Sequence, residues 1–350
     1  MSDKKLTRRQ FASDNYAGVC PAGWKAMEMA NQGHSIPYGD DDLTEQACNA
    51  IRDLFETRCE VFFVFNGTAA NSLSLASLCQ SYHSVICHRN AHIETDECGA
   101  PEFFSNGTKI LLAEGDDGRI DVGSAEALIK KRADIHYPKP KVLSLTQATE
   151  HGTVYTPDQV ASLGDLARSH GLSVHMDGAR FANAVASLNC APSEITWKAG
   201  IDVLCFGGTK NGLPIGDAVV FFNQDLAREF EFRCKQAGQL ASKMRFISAP
   251  WIGLLESDTW LANAAHANKC ARLLAREIAT VDGVKILYPV EANAVFVSME
   301  VSVTSSLHQL GWRFYTFIGM GGARLMCGWD TTEEDVLALA ADIKKLCSAH

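Results

Sequence analysis

Short β-prone runs alternate with helix-length segments through the first two thirds of the chain. Residues 42–55 carry apolar positions at helical spacing, with Asp40 to Asp42 available to cap that helix. β-prone runs follow at residues 61–65, 84–87, 141–146, 173–177 and 202–206, with a further candidate strand at 218–222. Several runs are separated by helix-length segments such as 157–170. This alternation predicts an α/β fold with a mostly parallel sheet covered on both faces.

The pattern changes near residue 257. A long helical pattern rich in Ala, Leu and Lys runs to residue 279, and β-prone runs at 284–287 and 294–299 precede a final helix over 332–347. A chain of 350 residues exceeds the usual size of one domain. We therefore predict an N-terminal arm (1–30), a large domain (31–256) and a smaller α+β C-terminal domain (257–350).

Composition and charge narrow the class of protein. The net charge of −9 argues against a nucleic-acid or anionic-membrane partner, which would call for a basic surface. The twelve cysteines form no Cys-x-x-Cys pair, and several lie in apolar runs, as reduced thiols do in cytosolic proteins. No stretch approaches the roughly 20 apolar residues of a membrane span. We expect a cytoplasmic protein without a metal site.

Charged side chains follow two of the predicted strands. Lys210 follows the strand at 202–206 on a glycine-rich turn, and Asp177 ends the strand at 173–177. Open α/β sheets bind ligands outside the carboxyl ends of their strands. A lysine can form a Schiff base with an aldehyde, and a carboxylate can keep a pyridine nitrogen protonated. A lone Lys or Asp would be read as an ordinary loop charge, but the pair predicts pyridoxal 5′-phosphate as cofactor.

Three further positions fit such a cofactor. Gly67 and Thr68 open a helix after an apolar strand, where backbone N–H groups can bind a phosphate, although many such turns serve only as helix caps. His92 follows another strand and could stack on the pyridine ring and handle protons, the alternative being a surface or capping histidine. His136 is the best second proton-handling candidate.

Arg324 stands alone in an apolar run of the predicted small domain. A desolvated arginine needs an anionic partner. An amino-acid carboxylate, bound through two hydrogen bonds, is one candidate, and a structural ion pair is the other.

Together these motifs resemble the L-threonine aldolases over nearly the whole chain. The resemblance rests on Asp177-Gly178-Ala179-Arg180, Lys210 after Gly-Gly-Thr, His92-Ile93 before Glu97 and Gly99, Arg324-Leu325 before Trp329-Asp330, and Ser13-Asp14. It implies fold type I of the pyridoxal-phosphate enzymes, the aspartate-aminotransferase-like fold.

The resemblance also implies roles for individual residues. Lys210 would be the Schiff-base lysine, Asp177 the partner of the pyridine nitrogen, His92 the stacking residue, and Gly67 and Thr68 phosphate ligands. Ser13, Arg180 and Arg324 would hold the substrate carboxylate, with Arg180 also near the cofactor.

This chain departs from the family at two positions. The usual Ser-Gly-Thr at the phosphate turn is Asn66-Gly67-Thr68, which puts one hydroxyl contact in doubt. Asp96 stands where an aromatic residue is common, and its carboxylate could touch the β-hydroxyl or aldehyde side of the substrate. Side-chain and diastereomer preference therefore do not transfer from the family.

The activity implied is retro-aldol cleavage of L-threonine, L-allo-threonine and related L-β-hydroxy-α-amino acids to glycine and an aldehyde. His92 or His136 would accept the β-hydroxyl proton. The alternatives are a β-elimination lyase or aminotransferase on the same cofactor and, from another class, a non-catalytic amino-acid sensor. Active sites of this fold are typically shared across a dimer, so we expect a homodimer or homotetramer.

Overall fold

The structure is a computed structural model in which residues 10–317 and 322–348 are described. The start of the predicted N-terminal arm and small parts of the predicted C-terminal domain lie outside these ranges. The helices in the described ranges are α1 (Pro21–Ala30), α2 (Asp42–Phe55), α3 (Gly67–Leu78), α4 (His92–Thr95), α5 (Ala100–Phe104), α6 (Val122–Ile129), α7 (Pro157–Ser169), α8 (Phe181–Leu188), α9 (Phe230–Gln236), α10 (Arg245–Glu256), α11 (Thr259–Ile278), α12 (Val301–Gln309) and α13 (Glu333–Cys347). The strands in the same ranges are β1 (Glu60–Val64), β2 (His83–His88), β3 (Lys109–Ala113), β4 (Lys139–Thr146), β5 (Ser173–Gly178), β6 (Val203–Phe206), β7 (Asp217–Phe221), β8 (Lys285–Ile286), β9 (Ala294–Ser298), β10 (Tyr315–Thr316) and β11 (Gly322–Met326).

The large sheet has the strand order β1-β7-β6-β5-β4-β2-β3 within the described residues. Strand β7 is antiparallel to both of its neighbours, whereas β6, β5, β4, β2 and β3 pair in parallel. Thr146 of β4, Asp177 of β5 and Cys205 of β6 lie side by side in register. The prediction of a mostly parallel sheet is confirmed, and its carboxyl edge brings Asp177 beside the turn that follows β6.

Helices cover both faces of this sheet. Alternate residues of β6 point to opposite faces, so Leu204 and Phe206 join one apolar cluster while Val203 and Cys205 join another. On the first face, the fully buried ring of Phe206 packs against Trp251 of α10 at a centroid distance of 4.9 Å. Helix α3 packs on the opposite face, against β5, β6 and β7. The sheet edge that carries Asp177 is thus held between two packed layers.

The second sheet has the order β10-β11-β9-β8 within the same part of the chain. Helices α11 and α13 pack together beside it, and their apolar faces form one core with β9 and β11. The N-terminal segment joins this core through Phe11, which is fully buried and accepts a hydrogen bond from the backbone N–H of Met326 at 2.8 Å. The division at residue 256 stays a prediction.

Two further observations bear on the expectations from composition. All twelve cysteines lie within the described ranges and carry free thiols. No helix in those ranges is both long and apolar enough to span a bilayer.

Candidate active site

Lys210 lies on a short 3₁₀ turn, Thr209–Asn211, directly after β6. The backbone N–H groups of Gly208 and Thr209 donate to Oδ1 of Asp217 at 2.9 and 3.3 Å. A Cβ atom at Gly208 would lie 2.5 Å from Cζ2 of Trp251, so a glycine is required for the turn to pack this closely. The lysine therefore projects from a rigid support.

Asp177 lies near the carboxyl end of β5 with 3% of its surface exposed. Its Oδ1 accepts from the backbone N–H of Ala179 at 3.0 Å, and its Oδ2 accepts from Nδ2 of Asn71 on α3 at 3.0 Å. Both donors are neutral, so they orient the carboxylate without neutralising it. A cationic ring nitrogen is a fitting partner for such a group.

His92 opens α4, and its Nδ1 lies 2.9 Å from Oε1 of Glu97. The same oxygen accepts from Nδ2 of Asn71 at 2.8 Å, so Oε1 is an acceptor and Nδ1 of His92 carries the proton. This hydrogen bond, with smaller contributions from the charges of Asp177 and Glu150, raises the pKa of His92. Burial raises the pKa of Glu97, which is 3% exposed.

Arg180 forms an ion pair with Asp14 of the N-terminal segment. Its Nε and one terminal nitrogen donate to the two carboxylate oxygens at 2.7 and 3.1 Å, and Asn293 donates to the same carboxylate at 3.1 Å. Burial acts to raise the pKa of Asp14, but the charge and hydrogen bonds of Arg180 outweigh it and lower the pKa overall. Arg180 was predicted to hold a substrate carboxylate, and two of its nitrogens are already occupied by Asp14.

Arg324 projects from β11. One terminal nitrogen donates to the backbone carbonyl of Ala12 at 3.3 Å, and the guanidinium carbon lies 5.3 Å from the centre of the Tyr315 ring. Its Nε is buried and has no hydrogen-bond partner among the described residues. Burial lowers the pKa of this arginine, and no ion pair involves it within the described residues. A carboxylate from outside the chain would satisfy it.

Ser13 begins the N-terminal 3₁₀ turn. Its hydroxyl oxygen accepts from the backbone N–H of Asn15 at 3.1 Å, so the side chain caps the turn that carries Asp14.

Most of these side chains, but not that of Asp177, line a cavity of about 460 Å³, which we call the wide cavity. It is lined by Ser13, Asn15, His92, Asp96, Glu150, Arg180, Lys210, Tyr315, Phe317 and Arg324. A narrow cavity of about 220 Å³ shares Asn15, His92 and Lys210 with it. The other residues lining the narrow cavity are Asn66, Gly67, Thr68, Ala179, Thr209 and Asp217.

The narrow cavity opens at the amino end of α3. The side chain of Asn66 accepts from the backbone N–H of Ala69 at 2.9 Å and caps the helix. The N–H groups of Gly67 and Thr68 precede the capped position, at the positive end of the helix dipole. A phosphate group is the type of ligand that such a helix end binds.

His136 does not join this assembly, and its predicted role is corrected here. It is exposed and precedes the amino end of β4, where its backbone N–H donates to Asp134, whereas the two cavities lie at the carboxyl edge of the sheet. His175 is fully buried within β5, where it contacts Ser144 and Cys205 at 2.9 and 3.3 Å. Burial lowers its pKa to about 4, so it is a neutral core histidine.

Four polar residues of the site were missed as functional candidates. Glu97 and Asn71 orient His92 and Asp177, Glu150 lines the wide cavity, and Asp217 lines the narrow one. Glu150 shortly follows β4, so the strand-end argument applied to Asp177 could have found it. Asn71 gave no local signal, because its partners Glu97 and Asp177 are distant in sequence. Glu97 and Asp217 lie within ten residues of groups they bind, but no role was assigned to either.

Comparisons with known proteins bear on this arrangement. The family described as "Beta-eliminating lyase" matches residues 10–302. A low specificity L-threonine aldolase of Pseudomonas sp. is 61% identical over 341 residues, which make up 97% of this chain and 99% of that protein. The chain belongs to the L-threonine aldolase group of the beta-eliminating lyase family.

Solved structures agree with this membership. A threonine aldolase of Leishmania major superposes with a TM-score of 0.91 at 26% identity, covering 97% of this chain and 99% of that one. A tryptophan decarboxylase of Catharanthus roseus shares the fold alone, with a TM-score of 0.79 at 14% identity, 99% coverage of this chain and 84% of the other. The predicted resemblance to L-threonine aldolases and the fold type I assignment are confirmed.

Enzymes of this family depend on pyridoxal 5′-phosphate, which confirms the predicted cofactor. The residues of the two cavities, together with the nearby Asp177, fit it. Gly67 and Thr68 would offer N–H groups to its phosphate, Asp177 would offer a carboxylate to its ring nitrogen, and Lys210 would offer an amine to its aldehyde. The assignments of individual residues stay predictions.

Proposed function

We propose that this chain cleaves L-threonine, L-allo-threonine and related L-β-hydroxy-α-amino acids into glycine and an aldehyde. Such an enzyme is a carbon–carbon lyase of the aldehyde-lyase class. The observation that carries the proposal is that Lys210, Arg324 and His92 line one cavity. Two carboxylates, those of Asp96 and Glu150, line the same cavity. The 61% identity to a low specificity L-threonine aldolase supports it.

The cofactor, when bound, supplies an electron-withdrawing ring that accepts the electron pair left on Cα as the Cα–Cβ bond breaks. Asp177 keeps the ring nitrogen protonated by stabilising the positive charge there. Gly67 and Thr68 hold the phosphate, and Lys210 holds the cofactor through its aldehyde carbon. His92 lines both cavities and would stack on the ring.

Substrate orientation decides which bond at Cα breaks, because the bond that stands perpendicular to the ring is the one weakened. Arg324 binds the substrate carboxylate through the Nε that lacks a partner in the described residues. Arg180 and Ser13 line the same cavity and complete the subsite that binds the substrate carboxylate.

His92 accepts the proton of the β-hydroxyl, directly or through water. Because Nδ1 carries the proton that is shared with Glu97, Nε2 is left as the acceptor of neutral His92. Oδ2 of Asp96 lies 3.6 Å from this nitrogen, and Glu150 lines the same cavity. The two carboxylates stabilise the imidazolium that forms.

Product analysis tests the proposal. Purified protein supplied with pyridoxal 5′-phosphate and L-threonine should release acetaldehyde and glycine in equal amounts. Formation of a keto acid instead would identify a β-elimination lyase or an aminotransferase. Absence of turnover with every β-hydroxy amino acid would favour a non-catalytic sensor.

We further propose a homodimer or homotetramer with shared active sites, in the cytoplasm, and a division into the domains 31–256 and 257–350. Symmetry tendencies of soluble enzymes support the assembly, and the twelve free thiols support a reducing compartment. A solution mass from light scattering tests the assembly, with a monomer as the contradicting result.

A further inference from the structure

Asp217 is a carboxylic acid on the wall of the cavity proposed to take the cofactor phosphate. It is the first residue of β7 and is 6% exposed. Its Oδ1 is occupied by the N–H groups of Gly208 and Thr209. Its Oδ2 lies on the other side, 3.4 Å from the place where a Cβ atom on Gly67 would stand. One oxygen thus supports the Lys210 turn, and the other lies beside the phosphate-binding end of α3.

A carboxylate in this place conflicts with a phosphate ligand. A phosphate monoester carries a charge of about −1.5 to −2 at neutral pH, and two anions in contact within a buried site repel each other strongly. One positive side chain, Lys210, faces Asp217 from the turn, and its amine is the group proposed to bind the cofactor. Two further ionisable neighbours among the described residues are Asp177 of β5 and Cys205 of β6, and neither supplies positive charge. His92 lines the same cavity and is proposed to stack on the cofactor ring.

A shared proton removes the conflict. Burial raises the pKa of Asp217, and the charge of Asp177 raises it further, against the opposing effect of the two backbone N–H groups and Lys210. A protonated carboxyl can donate a hydrogen bond to a phosphate oxygen, as a protonated phosphate can donate to a carboxylate. Either position of the proton leaves the pair with one negative charge fewer.

We propose that Asp217 and the phosphate group of pyridoxal 5′-phosphate share one proton in a hydrogen bond, so that binding the phosphate takes up one proton from solvent. The proposal rests on the proposed function only in requiring that the phosphate occupy the narrow cavity. Because the shared proton is taken from solvent, the affinity for the phosphorylated cofactor falls as pH rises above neutrality.

A binding experiment on cofactor-free, full-length protein tests this. Pyridoxamine 5′-phosphate and pyridoxamine differ only in the phosphate group, and neither reacts covalently with lysine. Dissociation constants for both are measured by titration calorimetry between pH 7 and 9, where the free phosphate is fully ionised. One proton is taken up with the phosphate. The ratio of the dissociation constant of pyridoxamine 5′-phosphate to that of pyridoxamine should therefore rise about tenfold per pH unit.

The variant Asp217→Asn separates proton sharing from support of the turn. Asparagine keeps an oxygen for the N–H groups of Gly208 and Thr209, and its amide can donate to the phosphate without taking up a proton. The extra pH slope should disappear in this variant. The matched control is Asp202→Asn at the amino end of β6, where the side chain accepts from the backbone of Val174, and it should retain the slope.

Three results would overturn the proposal. Equal pH slopes for the two ligands in the wild type would show that the phosphate binds without a proton, whatever the variants do. Retention of the extra slope in Asp217→Asn would assign the proton to another group. Failure of the wild type to bind pyridoxamine 5′-phosphate at any pH would reject both this proposal and the proposed function.

Discussion

The ion pair between Asp14 and Arg180 should contribute strongly to the stability of the fold. The variant Asp14→Asn removes the charge and leaves Arg180, which is 8% exposed, without its anionic partner. Breaking a buried pair by removing one partner costs about 3–5 kcal/mol, because the remaining charge stays desolvated. The surface pair of Asp225 and Arg228 is the matched control, since both side chains are more than three-quarters exposed. The variant Asp225→Asn should cost less than about 1 kcal/mol.

The free energy of unfolding of both variants is measured at pH 7 by urea titration, with circular dichroism as the signal. The pKa of Asp14 is lowered in the folded state, so its contribution is fully present above the unfolded value of about 3.9. That contribution is lost as pH falls through the lower, folded value, so the difference between wild type and Asp14→Asn should shrink in acid. Equal destabilisation by Asp14→Asn and Asp225→Asn at pH 7 would refute the reasoning.

Three further changes have defined outcomes. Arg324→Lys should lower kcat/KM for L-threonine about 10- to 100-fold, mainly through a higher KM, because a charged hydrogen bond to the substrate carboxylate is lost. An unchanged KM would contradict binding of the substrate carboxylate by Arg324. Glu97→Gln should lower the pKa of His92 by removing the carboxylate that raises it. If neutral His92 is the base, the rise of kcat/KM with pH should then move to lower pH. An unmoved pH profile would reject His92 as the base. Gly208→Ala should destabilise the fold by about 1–3 kcal/mol through overpacking. The control Gly18→Ala, where no neighbouring atom lies within 4 Å of the added Cβ, should have little effect on the melting temperature. Equal melting temperatures for the two variants would contradict the predicted clash at Gly208.

Local pattern predicted the elements that carry the site. The helix predicted over residues 42–55 is α2, and its cap is Asp41, whose side chain accepts from the backbone N–H of Thr44. The predicted strand at 173–177 is β5, extended by one residue. β-branched and apolar runs bounded by polar turns define such buried strands well. Strand β3 was missed although four of its five residues, from Ile110 to Ala113, form an unbroken apolar run.

Long-range pairing could not be predicted from local pattern. Asp14 and Arg180 are far apart in sequence, and nothing near either residue indicates the other. The hydrogen bonds that join Asn71 to Asp177 and Glu97 depend on how α3 packs across the sheet. His136 was assigned wrongly for the same reason, since its residue type suits proton transfer but it precedes β4 at the opposite edge of the sheet. Residue type indicates possible chemistry, and the topology decides which groups meet.

The proposed chemistry requires that Lys210 hold the cofactor covalently. To test this, purified protein loaded with pyridoxal 5′-phosphate is reduced with borohydride, digested and mapped by mass spectrometry. We expect a phosphopyridoxyl group on the peptide that contains Lys210. A label on a different lysine, or no label on any peptide of a cofactor-loaded sample, would contradict it.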